Sequence, residues 1–141
     1  MNDKVKERLG LAFRLTADLV RHLDESALVL DIPALPSNSI ANQLWCVVGA
    51  RESYLRAVEA GAWAGFACSL KTPSVKRSAL DALDATERKL ADIDVTSLDS
   101  VKLDLLFVLL EHEVMHHGQL IRYVYANELG FPSSWHERYT V

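Results

Sequence analysis

Residues 99–130 read DSVKLDLLFVLLEHEVMHHGQLIRYVYANELG, a long stretch that keeps a helical period from end to end. Asp99 or Ser100 offers the N-cap oxygen. The helix is expected to run to near Leu129, with Gly130 as the left-handed closing residue and Pro132 blocking continuation. At about 100° per residue, Leu105, Leu109, His112, His116 and Tyr123 fall in one narrow sector. The two histidines therefore continue an apolar stripe instead of joining Lys102 and Asp104 on the charged side. Imidazoles four residues apart on a helix face the same way and can grip one metal ion. A buried neutral imidazole needs a partner for each ring nitrogen, and a metal satisfies one nitrogen on each.

Three more helical segments precede this one, and almost nothing reads as strand. From about Asp3 to Leu23, apolar residues such as Val5, Leu9, Phe13, Leu19 and Leu23 recur at three- and four-residue intervals, with Thr16 inside the same stripe. Pro33 and Pro36 then break helical continuity, and Ser37 or Ser39 supplies an N-cap for a second helix through Leu44, Val47, Val48 and Leu55 to Gly61. Ala62 to Lys71 is an apolar connection without a clear period, whose aromatics are expected to cap the bundle end. Thr72-Pro73 is read as the opening of a third helix to about Ile93. Phe131 to Val141 is expected to be irregular chain packed by Trp135 and Tyr139. Four helices, three connections and no strands predict an all-α, antiparallel four-helix bundle, an architecture that builds metal sites from facing side chains.

Composition bounds the rest. The chain has 141 residues, which fits one domain over 1–141 with a core of ordinary size. A net charge of −4 and the lack of any dense Lys/Arg block exclude a phosphate-dominated nucleic-acid surface. No signal-type apolar run follows the charged N-terminus and no stretch approaches the ~20 apolar residues of a membrane span, so a cytoplasmic protein without membrane attachment is expected. Cys46 and Cys68 are too few for a disulfide framework and too far apart for a Cys-x-x-Cys pair, and both are expected to be reduced thiols. Trp45, Trp63 and Trp135 are read as core anchors. Arg51, Glu52 and Glu59 are read as a solvated or interhelical charge set.

His112-Glu113-Val114-Met115-His116 also matches His-Glu-x-x-His, the zinc-protease helix with a glutamate base. The extended metzincin pattern fails, because Gln119 stands where glycine is required and Arg122 where a third histidine is required. No strand is expected that would serve as a substrate-binding edge. Glu113 lies about 100° around the helix from His112, which leaves a solvent-facing or an interhelical role open.

The run Glu111-His112-Glu113-Val114-Met115-His116-His117-Gly118-Gln119-Leu120-Ile121 resembles the signature of the DinB/YfiT-like family, in which a His-x-x-x-His pair precedes Arg-Gly-Gln on the last bundle helix. Ser39 to Glu52 resembles the family's second-helix segment, and Pro132-Ser133-Ser134-Trp135 a closing segment of some members. The resemblance implies an antiparallel four-helix bundle, a homodimer, and one divalent metal held by three histidines. Two of those ligands fall on His112 and His116, while His117 stands where the family has arginine. The position of the family's first ligand, on the second helix, is Cys46. That helix has no histidine at all, since the remaining two are His22 and His136.

Two readings of Cys46 follow. As a thiolate beside two imidazoles it completes a three-ligand set with an open fourth position, favouring softer ions, zinc or nickel. As a small buried hydrophobe it leaves the site empty. With a metal, the resemblance implies a thiol-dependent S-transferase or isomerase that acts on small electrophiles with a low-molecular-weight thiol, and Glu113, His117, Gln119 and Tyr123 are the polar groups placed to orient a ligand. Without one, it implies a non-catalytic bundle that serves in binding or dimerisation.

Overall fold

The computed structural model describes residues 2–141 and is all-helical, with no strand among the described residues. Helix α1 spans Asn2–His22, α2 Ile40–Ala60, α3 Lys76–Ala91, α4 Ser100–Ala126 and α5 Ser133–Arg138. Short 3₁₀ turns at Glu25–Val29 and Val95–Ser97 sit in the connections. Helix α1 packs on α3 and α4, and α2 packs on α4 and α3. No helix is long and apolar enough to cross a membrane.

The ends of the helices follow local chemistry where the right side chain is present. Ser39 accepts the Asn42 N–H and Asp99 accepts the Lys102 N–H, the interactions expected of N-cap oxygens. Gly61 closes α2 in the left-handed region, at φ 77°. Elsewhere the expected signals are overridden. Thr72-Pro73 does not open α3; Thr72 instead accepts the Val75 N–H in a turn, and the helix begins at Lys76, whose N–H donates to the Glu25 carboxylate. A carboxylate from a distant turn thus does the capping, where the N-terminal dipole favours an anion.

At its other end α4 stops at Ala126, before Leu129. Glu128 takes the left-handed closing position (φ 53°) two residues before Gly130, which is itself left-handed at φ 71° as expected, while the Glu128 N–H bonds the Tyr125 carbonyl and the Leu129 N–H bonds the Val124 carbonyl. These are the paired bonds of a Schellman ending. The tail is also more ordered than expected, since residues 133–138 form α5. That short helix buries Trp135 completely and lets its indole N–H donate to the Leu15 carbonyl at 2.7 Å.

Two hydrophobic clusters form the core. One contains Val5, Leu9 and Phe13 of α1, Leu55 and Val58 of α2, Leu90 of α3, and Leu106 and Leu109 of α4. The other contains Leu19 and Leu23 of α1, Leu44 and Val47 of α2, Leu83 of α3, and Leu120 and Val124 of α4, closed by Trp135. Helices α1 and α4 run from the first cluster to the second, and α2 and α3 run the opposite way. Only one of the three tryptophans is a core anchor. Trp45 and Trp63 are 41 % and 47 % exposed, because the apolar connection after α2 does not cap an end of the helices but lies back along α2, with Phe66 tilted against Trp45 and Trp63 tilted against Tyr54.

Candidate metal centre

Helix α4 interrupts its apolar stripe at His112, Glu113, His116 and His117, and these four side chains divide into two pairs. His112 and His116 turn toward α2. Glu113 meets Arg51 of α2 and Thr16 of α1, and His117 turns toward Thr16 and the tail residue Tyr139.

On the α2 side, Cys46, His112 and His116 each bring one donor atom to within 4.8 Å of the others. Cys46 Sγ lies 3.7 Å from His112 Nε2, and the imidazole centroids are 4.5 Å apart. Zinc bonds of about 2.3 Å to sulfur and 2.0–2.1 Å to nitrogen, set at a tetrahedral angle, give a sulfur–nitrogen edge of about 3.6 Å. The protein already holds that edge.

His116 is positioned from behind. Its Nδ1 lies 2.5 Å from Gln43 Oε1, an oxygen that can only accept, so Nδ1 carries the proton and Nε2 the lone pair. That Nε2 is buried with no hydrogen-bond partner. An imidazole whose outer nitrogen is fixed by an amide and whose inner nitrogen is left free is the arrangement of a metal-ligating histidine. His112 Nδ1 also lacks a protein partner.

The electrostatics keep these groups neutral. Burial, with the neighbouring His112 adding to it, pulls the His116 imidazole down to about 4, and burial also lowers His112. At neutral pH both are unprotonated and available as ligands. Burial pushes the Cys46 thiol up, so the sulfur becomes a thiolate only when a cation takes the place of its proton.

Gln43 is a functional residue that the sequence reading missed, although it precedes Cys46 by three residues and so shares its side of α2. Its Nε2 donates to Asn38 Oδ1 at 3.0 Å, and Tyr123 OH donates to the same oxygen at 2.6 Å. A cavity of about 330 Å³ adjoins this cluster, lined among others by Asn38, Gln43, Gln119, Arg122 and Tyr123. Gln119 and Tyr123 therefore border the outer side of Gln43 and do not stand over the donor atoms.

Glu113 and His117 belong to a separate buried network. The Arg51 guanidinium, 0 % exposed, forms a two-pronged pair with the equally buried Glu113 carboxylate: Nε donates to Oε2 at 3.1 Å and Nη2 to Oε1. Arg51 also donates to Thr86 Oγ1 at 3.2 Å and the Phe13 carbonyl at 3.3 Å, and it lies over the Phe13 ring at 3.7 Å. Of the two roles expected for Arg51 the interhelical one holds and the solvated one does not, since its partners lie on three other helices. For Glu113, burial raises the pKa more than any single neighbour lowers it, but Arg51, His117 and Thr16 together hold the carboxyl below its ordinary value.

A directed hydrogen-bond chain follows. Thr16 Oγ1 lies 2.7 Å from Glu113 Oε1 and 2.8 Å from His117 Nε2, and His117 Nδ1 lies 2.7 Å from Tyr139 OH. An ionised Glu113 can only accept, so the Thr16 hydroxyl donates to it. His117 Nε2–H then donates to Thr16, and the Tyr139 hydroxyl donates to Nδ1. Burial pulls His117 down to about 4, in keeping with this neutral tautomer. Glu113 and His117 are committed to structure and are not free to orient a ligand; the protease reading loses its base.

Comparison with family models, curated proteins and solved structures found no match to this chain. The geometry of Cys46, His112 and His116 is therefore the ground for a functional reading.

Proposed function

We propose that the chain is an antiparallel four-helix bundle of the DinB/YfiT-like kind, that Cys46, His112 and His116 hold one divalent metal, zinc or nickel, and that it acts as a thiol-dependent transferase or isomerase on small electrophiles. One observation carries the metal reading. His116 Nε2 is a buried lone pair without a partner, aimed at the place where Cys46 and His112 converge.

The donor set fits the ion. A thiolate with two imidazoles suits zinc, and three protein ligands leave a position for substrate. Bound there, the ion would supply the positive charge that lowers the pKa of a coordinated thiol. The chain's own residues do the positioning. Gln43 fixes the His116 tautomer, and Asn38 and Tyr123 fix Gln43. The resemblance that suggests this reaction also carries a homodimer, which sizing of the purified protein measures directly.

A non-catalytic bundle is favoured by a different observation. Burial holds the Cys46 thiol protonated in the metal-free chain, as suits a small apolar side chain. Elemental analysis of tag-free protein purified without chelators separates the two. Near-stoichiometric zinc or nickel that is lost in both Cys46→Ala and His116→Ala supports the metal centre and justifies assays of thiol transfer. No bound metal, even after divalent ions are added, refutes it and leaves a bundle that binds or assembles.

A further inference from the structure

Cys68 lies in the connection between α2 and α3, and that segment is tied to α2 at several points. Phe66 packs on Trp45 at 5.2 Å between centroids. Ser53 Oγ donates to the Ala67 carbonyl at 3.1 Å and accepts its N–H at 3.0 Å, and the Glu52 carboxylate accepts the Ser69 N–H at 3.0 Å. The Cys68 thiol donates to the Trp45 carbonyl at 3.3 Å.

Gly49 is what lets the segment lie so close. A Cβ at that position would stand 2.2 Å from the Phe66 ring and 2.9 Å from Cys68 Cβ. Gly49 follows Cys46 by three residues, a spacing that makes them neighbours on the helix surface, about 5–6 Å apart at Cβ. The Trp45 carbonyl that holds the Cys68 thiol belongs to the peptide group that contains the Cys46 nitrogen. Two independent contacts thus hold Cys68 against the turn of α2 that carries Cys46.

We propose that Cys46 and Cys68 are a redox modification site: a reversible disulfide between them withdraws Cys46 from the donor set it forms with His112 and His116. The gating half of this inference rests on the metal reading above, while the disulfide itself does not. A disulfide needs Cβ atoms about 3.5–4.5 Å apart, so the connecting segment must shift over the Gly49 surface and the Cys68 thiol must leave the Trp45 carbonyl before the two sulfurs meet. Hydrogen peroxide is a sufficient oxidant. One cysteine sulfur attacks a peroxide oxygen, the O–O bond breaks, and a sulfenic acid and one water form. The second sulfur then displaces the sulfenic oxygen, which leaves as another water. Two thiols have lost two electrons and two protons, and a thiol reductant restores them by exchange.

The test treats the full chain with hydrogen peroxide, once metal-free and once zinc-loaded, alongside Cys68→Ala. Alkylation and peptide mass mapping read the sulfur state, and a chromogenic chelator reads zinc release. In the wild type both thiols are expected to disappear together, with a mass loss of about 2 Da, a Cys46–Cys68 linked peptide, zinc released in step, and recovery on reduction. Cys68→Ala is expected to bind zinc as before and to release it at least about tenfold more slowly, since Cys46 has lost its resolving partner. Absence of the linked peptide from oxidised metal-free protein overturns the proposal whether or not the chain binds zinc. Equal release rates in wild type and Cys68→Ala overturn the gating. A linked peptide in a chain that binds no zinc upholds the disulfide and refutes the metal reading.

Discussion

Replacing Arg51 with methionine probes the pair on which four helices converge. Both side chains are 0 % exposed, so Arg51→Met leaves the Glu113 carboxylate with the Thr16 hydroxyl but without its counter-ion. Removing one partner of a fully buried ion pair costs about 3–5 kcal/mol, because the remaining charge stays desolvated. In a chain of 141 residues that corresponds to a midpoint lowered by roughly 10–15 °C. The double variant Arg51→Met/Glu113→Leu removes both charges, and burying apolar groups of similar volume in their place is often neutral or better. Urea denaturation of the wild type, both single variants and the double variant gives the coupling directly. We expect the double variant to be more stable than either single variant. The reasoning fails if Arg51→Met costs less than about 1 kcal/mol, the range of an exposed pair, or if the two single losses simply add.

Two further outcomes follow from the buried histidines and their supports. In chelator-treated protein His117 titrates near 4 when folded against 6.5 when unfolded, so the unfolded chain binds more protons between those values and stability falls as pH falls through that window. The loss attributable to His117 reaches about 3 kcal/mol by the lower end, measured by denaturant midpoints across pH; a flat profile from pH 6.5 to 4 refutes it. Gln43→Ala removes the acceptor that holds His116 Nδ1, and zinc affinity is expected to weaken roughly 10–100-fold with the fold intact, read by chelator competition. Unchanged affinity would mean that His116 is oriented by something else.

The secondary structure was legible because it depends on neighbours in the chain. Apolar residues at three- and four-residue intervals marked α1, α2 and α4, and Ser39, Gly61 and Asp99 sat at ends that their own side chains or backbone freedom make. The ends read wrongly were those set from elsewhere. Lys76 opens α3 because Glu25 reaches it across the fold, and Glu128 adopts a positive φ because two backbone bonds of the α4 ending require it.

The site divides in the same way. The i,i+4 spacing of His112 and His116 is a property of one helix, so their common direction is set by helical geometry alone. Which neighbour faces each histidine depends on how α4 is rotated against α1 and α2. Two residues adjacent in sequence therefore have different roles: His116 meets Gln43 and Cys46, while His117 meets Thr16 and Tyr139. Arg51 shows the limit most clearly. In the sequence it is one charge beside Glu52 and Glu59, and only the packing of four helices into a layer between two apolar clusters turns it into a buried cation that must be paired. Helical periods report which side of a helix avoids water, whereas the partner on that side is chosen by long-range packing that no local spacing records.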